Sequence, residues 1–211
     1  MIFLAFEGLD GSGKSSLMKQ LEDHLATAKI QFVKTREPGG TFIGDQVREI
    51  ILQKSSPPPS PRTELLLYQA SRAQHVDYVI VPALKEKKWV LCDRFTASSI
   101  AFQGGGRNIS SDQVHWLNEF STQSLKPHLQ ILLDVTVEES KKRREKRTEA
   151  IGVLDDRMES EADDFHQRVR QGFLKQTQEF PKDWLVVDAS GSPAQLFKEL
   201  LKELRRRQWL A

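Results

Sequence analysis

The sequence predicts an α/β fold in which helices cover both faces of a parallel sheet. Three observations predict it: five short apolar runs suit buried strands, segments of helical periodicity alternate with them, and a glycine-rich turn follows the first run directly. The first run is Ile2–Phe6, and the turn after it fits the pattern G-x-x-x-x-G-K-[ST] through Gly8, Leu9, Asp10, Gly11, Ser12, Gly13, Lys14 and Ser15. A strand that ends in such a turn and opens into a helix points several backbone N–H groups at one spot, with the positive end of the helix behind them. The glycines clear space for phosphate oxygens, Lys14 adds a mobile positive charge, and Ser15 offers a hydroxyl to Mg²⁺. This stretch therefore predicts binding of ATP or GTP.

The second run, Gln31–Thr35, leads into Arg36–Thr41, which reads REPGGT. The proline-rich stretch Pro57–Pro61 reads as a stiff connector, because a helical pattern begins directly after it. That pattern runs from near Arg62 to Lys87, carries Leu65, Leu66, Tyr68, Arg72, Val76 and Val79 at helical spacing, and meets a kink at Pro82. The third run, Trp89–Cys92, is followed at once by Asp93–Arg94, at the carboxyl end where open α/β sheets bind ligands. Gln103–Arg107, QGGGR, is a flexible turn with a basic tip. The fourth run is Leu129–Asp134, after which Thr136 and Glu139 form a capping-box pattern; the fifth is Leu185–Val187, before Ser192 and Pro193 open a last helix. Residues 141–147, KKRREKR, carry six basic side chains and a looser stretch follows. Alone, the run reads either as a solvated helix face or as a lid whose arginines fold over a polyphosphate; the nucleotide loop favours the lid.

Composition narrows the class. The chain has 211 residues, 28% charged and 38% hydrophobic, with a net charge of +2, which argues against a general nucleic-acid-coating surface. One cysteine, Cys92, rules out an intrachain disulfide framework and suits buried packing in a reducing compartment. The N-terminal apolar stretch lacks a basic leader and reaches Glu7 at once, so no signal peptide is expected, and no apolar run is long enough to cross a bilayer. The expectation is a cytoplasmic protein that engages neither membrane nor nucleic acid. No internal repeat or domain-scale linker interrupts the chain.

EGLDGSGKSS, TREPGGT, LLLYQASRAQH, CDRFTASSIAFQGGG, LLDVT and DDRMESE occur in the order found in the thymidylate kinases, and the chain resembles the bacterial form of that family along nearly its whole length. The resemblance implies a three-layer P-loop kinase fold with five parallel strands in the order 2-3-1-4-5, one domain over residues 1–211, a lid at about 141–157 and a homodimer built from helices. It implies transfer of the γ-phosphoryl of ATP to dTMP, with Mg²⁺, to supply dTTP synthesis. By resemblance, Gly8–Ser15 cradles the ATP phosphates, with Lys14 on the outer ones and Ser15 on the metal. Asp10 lies near the dTMP 3′-hydroxyl or the metal shell, and Arg94 reaches between acceptor and donor. Pro38, Tyr68, Arg72, Ser99, Phe102 and Gln103 fall on the dTMP side: Tyr68 stacks on thymine, Arg72 bonds its O4, Ser99 and Gln103 approach N3, and Phe102 crowds the 2′ carbon.

Spacing supports the pairing of Tyr68 with Arg72, since residues four apart share a helix face. Without the resemblance, Tyr68 reads as core stripe and Arg72 as a cap or an ion-pair partner. Family members with glycine at the position of Gly11 draw their extra positive charge from the lid, and the resemblance assigns Arg147 and Arg157 to that task, with Arg143 near the ATP base. Tyr68 stands where phenylalanine is commoner and Ser99 where a larger polar residue is, while His128 carries no assigned role. The rivals are another nucleotide kinase on the same fold and a nucleotide-dependent switch; against a GTPase switch, the chain has no N-K-x-D motif.

Overall fold

A computed structural model describes residues 1–152 and 154–210. Five parallel strands, β1 (Phe3–Glu7), β2 (Phe32–Arg36), β3 (Trp89–Asp93), β4 (Leu129–Asp134) and β5 (Trp184–Asp188), form one sheet in the order β2-β3-β1-β4-β5. The expected sheet and its order are both present. Four strands run one residue further at their carboxyl ends than their apolar cores predict, ending on Glu7, Arg36, Asp93 and Asp188. Ladder hydrogen bonds use the backbone, so charged residues extend a strand when a neighbour pairs with them, as Arg36 does with Asp93.

β1 is buried along its whole length, as the centre of a doubly covered sheet must be. Its side chains alternate between two apolar clusters: Leu4 and Phe6 join one, Phe3 and Ala5 the other. Cys92 belongs to the second cluster and burial pushes its thiol up, which fits packing rather than thiol chemistry.

The helices are α1 (Lys14–Thr27), α2 (Phe42–Leu52), α3 (Pro61–His75), α4 (Val81–Lys85), α5 (Thr96–Ser99), α6 (Ser111–Thr122), α7 (Val137–Ile151), α8 (Asp163–Glu179) and α9 (Pro193–Arg206). Their starts follow local chemistry. Thr136 accepts a hydrogen bond from the Glu139 N–H, and Ser192 with Gln195 completes a capping box before Pro193. The single helix expected from Arg62 to Lys87 is divided: α3 ends at His75, a widened π-helical turn spans Val76–Ile80, and α4 follows. Pro82 has no N–H to donate back into the preceding turn, so the helix loosens ahead of it. The basic run lies within α7, which continues to Ile151 through the first part of the stretch expected to be looser.

Candidate active site

The carboxyl ends of β1, β2 and β3 meet where the strand order reverses, and the predicted groups collect there. From β1 the chain enters the glycine-rich loop. Gly8 has φ +134°, and a Cβ on it would stand 2.5 Å from the Leu133 carbonyl oxygen, so only glycine lets the loop lie against β4. Lys14, on the first turn of α1, is buried and curls back to donate to the Gly8 and Leu9 carbonyls at 3.2 and 3.1 Å. Burial first, then the nearby Arg94, draws its ammonium below the usual lysine range. Its own loop therefore occupies it until a stronger acceptor arrives.

Arg94 joins this loop to the other side of the site. Its φ of +72° is a left-handed conformation that a non-glycine residue adopts at a cost of about 1–3 kcal/mol, which the surrounding contacts hold in place. The guanidinium donates to the Gly8 carbonyl at 2.9 Å and to Asp10 Oδ1 at 2.7 Å, and stands 5.0 Å from the centre of the Phe102 ring. Burial alone would raise the Asp10 carboxyl, but Arg94 and Lys14 hold it far below the usual range. Glu7, unassigned by the sequence reading, fixes the turn that carries Arg94. It accepts the Phe95 N–H at 2.8 Å and the Ser98 hydroxyl at 2.6 Å. Burial pushes its carboxyl up to about 7, despite Ser98, Arg94 and the Phe95 amide.

A cleft opens beside Arg94, enclosing about 460 Å³ including its solvent-facing mouth. Asp10, Pro38 and Tyr68 line it together with Arg94, as do Ser99, Phe102 and Gln103. Burial pushes the Tyr68 phenol up, so its hydroxyl stays protonated. Arg72 is placed differently. It lies behind the wall, 1% exposed, donating through Nε to Glu37 Oε2 at 2.7 Å and through Nη1 to Ser99 at 2.9 Å. Its Nη1 also meets Asn118 Oδ1 at 2.8 Å, and its Nη2 the Phe95 carbonyl at 3.0 Å. The ion-pair alternative describes these contacts. Glu37, which burial would raise, is held low by Arg72 and His75.

Sequence reasoning missed Arg48, Leu52 and Met158 on the cleft wall. Arg48, on α2, donates to the Pro38 carbonyl at 3.1 Å; no local pattern marks it. Sequence reasoning named Asp93 beside Arg94 but gave it no role; the Asp93 Oδ1 is buried without a hydrogen-bond partner among the described residues. Among those residues no group of three or more metal-ligating side chains forms a cage. Mg²⁺ commonly binds through one or two protein ligands plus phosphates and water, and the Ser15 hydroxyl with the unpartnered Asp93 oxygen fits that demand.

The predicted lid arginines separate. Arg143 bonds the Ala189 carbonyl at 2.8 Å and reaches the Gly11 carbonyl at 3.5 Å, on the donor side. Arg147 is held by both oxygens of Glu159 at 2.9 Å, and its buried Nε has no hydrogen-bond partner among the described residues. Arg157 turns the other way, donating to the Ile51 carbonyl at 2.7 Å with Nη2 2.8 Å from Glu64. There it borders a hollow of about 880 Å³, measured like the cleft and shared with Lys54, Pro58 and Arg107. Both arginines of that hollow are already paired with Glu64.

Comparison with known proteins agrees with this geometry. A family model described as Thymidylate kinase matches residues 6–200. The chain is 58% identical over 210 residues to a thymidylate kinase of Bdellovibrio bacteriovorus, covering 100% of this chain and 98% of that protein. It is 45% identical over 202 residues to one of Kosmotoga olearia, covering 96% and 94%, and 46% over 188 residues to one of Geotalea daltonii, covering 88% of each. With the nucleotide loop, the strand order and this match along nearly its whole length, the chain belongs to the thymidylate kinase family.

Proposed function

We infer that this protein transfers the γ-phosphoryl group of ATP to dTMP, yielding ADP and dTDP for dTTP synthesis. The observation that carries the site reading is Arg94, which bridges the Gly8 carbonyl of the donor loop and Asp10 on the acceptor cleft. In the reaction a dTMP phosphate oxygen attacks the γ-phosphorus in line, and the bond to the ADP leaving oxygen breaks. The acceptor is already an anion, so no strong base is needed; holding the two phosphates in place and neutralising charge suffices. Lys14 leaves its loop carbonyls for the outer donor phosphates, and Arg94 spans acceptor and γ-phosphoryl. Mg²⁺ on Ser15 and Asp93 would neutralise donor oxygens.

We assign the base to the cleft between Tyr68 and Phe102, with Gln103 and Ser99 at its polar edge. Arg72 acts there through Ser99, which it holds. Arg147 closes on the donor side. Arg157, paired with Glu64 of α3, ties the lid to the acceptor side. We further propose a homodimer through α2, α3 and α6, where Phe42, Leu66, Trp116 and Phe120 are exposed and the last two rings stack with centroids 5.8 Å apart. Sedimentation equilibrium then gives a dimer for the wild type and a monomer for Trp116→Glu; a monomeric wild type contradicts it. We place the protein in the cytoplasm, with cell fractionation as the check; none of the described helices is long and apolar enough to cross a membrane.

An acceptor panel with Mg-ATP tests the activity. dTMP is expected to give the highest kcat/KM, with dUMP lower by roughly 10- to 10²-fold for the missing methyl group, and dCMP, dGMP and thymidine lower still. Preference for another acceptor, or nucleotide hydrolysis with no acceptor phosphorylated, contradicts the assignment.

A further inference from the structure

Of the six basic residues in the 141–147 run, Arg144 alone is buried, at 5% exposure. Gly11 explains where it goes. This glycine has φ +76°, and a Cβ built on it would stand 2.9 Å from the Ser140 carbonyl oxygen, 3.3 Å from Arg143 Cβ and 3.5 Å from Arg144 Cγ. The loop therefore cannot carry a side chain at this point, and the Arg144 stem covers the gap instead. Beyond the stem, Nη1 donates to Asp155 Oδ2 and to the Glu159 carbonyl, both at 2.6 Å. Its charge also reaches Asp10, whose carboxyl it helps to lower.

The same turn holds the partner of Arg147. The Glu159 carboxylate takes Arg147 Nη2 with both oxygens, while the Arg147 Nε stays buried and unpartnered. A long side chain that keeps about a third of its surface exposed would otherwise spread over many rotamers. Arg144 thus fixes the main chain of the residue whose carboxylate orients Arg147.

We propose that Arg144 is a positioning residue for phosphoryl transfer: seated over Gly11, it anchors the 155–159 turn and, through Glu159, aims Arg147 at the donor phosphates. This rests on the kinase reading above. Arg144 does not itself meet the phosphates, because its guanidinium is engaged by Asp155 and Glu159 behind the loop. None of its atoms line the acceptor cleft.

Arg144→Met tests this, since the unbranched methionine keeps apolar stem over Gly11 and removes the charge. The expected result is a kcat lower by on the order of 10- to 10²-fold, as for a catalytic group displaced by about an ångström, with KM for dTMP unchanged within about twofold. Arg144→Lys restores part of the loss, and Arg147→Ala in the Arg144→Met background adds little beyond either single change. A folded Arg144→Met enzyme with wild-type kcat, or losses that simply multiply with Arg147→Ala, overturns the proposal. Should Arg144→Met fail to fold by near-UV circular dichroism, Asp155→Asn breaks the same contact at a partly exposed carboxylate. A lowered kcat that is non-additive with Arg147→Ala then supports the proposal, and an unchanged kcat overturns it. Failure of the kinase reading would show separately, as a wild type that makes no dTDP.

Discussion

Lys14→Ala is expected to lower kcat by on the order of 10³-fold while leaving the fold intact. Loss of one preorganised donor at a developing charge costs about 10²- to 10³-fold, and this ammonium also carries a full charge in a largely water-free site. In the structure Lys14 spends its hydrogen bonds on two carbonyls of its own loop, with Asp10 3.9 Å away. Both loop contacts are long hydrogen bonds, at 3.2 and 3.1 Å, from a group whose burial opposes its charge, so they add little to folding. Removing the lysine also relieves its repulsion by Arg94, which already depresses its affinity for a proton. Thermal unfolding should therefore shift by only a few degrees, about 1 kcal/mol at this chain length. The loss should fall on kcat more than on KM for dTMP, since the contact is made to the transferring group. Near-normal turnover in the folded variant would remove Lys14 from the mechanism.

The second large effect is on stability. The resemblance alone predicts that Arg72→Ala mainly weakens dTMP use, but the contacts predict more. The side chain is 1% exposed and Glu37, its ion-pair partner, 4% exposed. Taking away one member of a buried pair leaves the other charged in a low-dielectric interior, at a cost of about 3–5 kcal/mol. His75 bonds the other Glu37 oxygen at 3.0 Å and limits the damage without replacing the guanidinium fork. Ser99, Asn118 and the Phe95 carbonyl lose a donor as well. The expected outcome is a melting temperature lower by roughly 10 °C, together with a raised KM for dTMP because Ser99 is no longer held. Differential scanning calorimetry beside acceptor kinetics separates the two parts. A wild-type melting temperature with only a raised KM would make Arg72 a base-reading residue with no structural part.

The contrast between these two residues shows what the chain reveals on its own. Lys14 was legible because its task is fixed by its neighbours in sequence: a strand and three glycines before it, serines and a helix after it. The five strands and the caps at Thr136 and Ser192 were legible for the same reason, since apolar periodicity and capping act over a few residues. Arg72 was legible only in part, as an ion-pair partner whose counter-ion no local pattern names. Its partners Glu37, Ser99 and Asn118 lie 35, 27 and 46 residues away in sequence, and only the closed sheet brings them together. Arg144 was hidden inside a charged run, where nothing local says which of six basic side chains turns inward. Asp93 stood in view beside Arg94, yet an unpartnered carboxylate oxygen is visible only once its surroundings are known. Pro82 marked the break in the long helix, whereas the loosened turn begins at Val76, because a missing N–H acts on the residues before it.

The electrostatics of the site follow from the same crowding. Asp10 is kept ionised by two cations, while Glu7, more deeply enclosed, is pushed toward neutrality. Two carboxyls three residues apart thus play different parts: Asp10 holds Arg94 by charge, and Glu7 holds the Arg94 turn by accepting hydrogen bonds.

A crystal structure with dTMP and a non-hydrolysable ATP analogue bound together tests the central claim most directly. It should place the donor phosphates on Gly8–Ser15 and the pyrimidine beside Tyr68 and Phe102, with the Arg94 guanidinium between the two phosphate groups. Both nucleotides competing for the same loop, or a cleft beside Tyr68 that stays closed to dTMP, would contradict it.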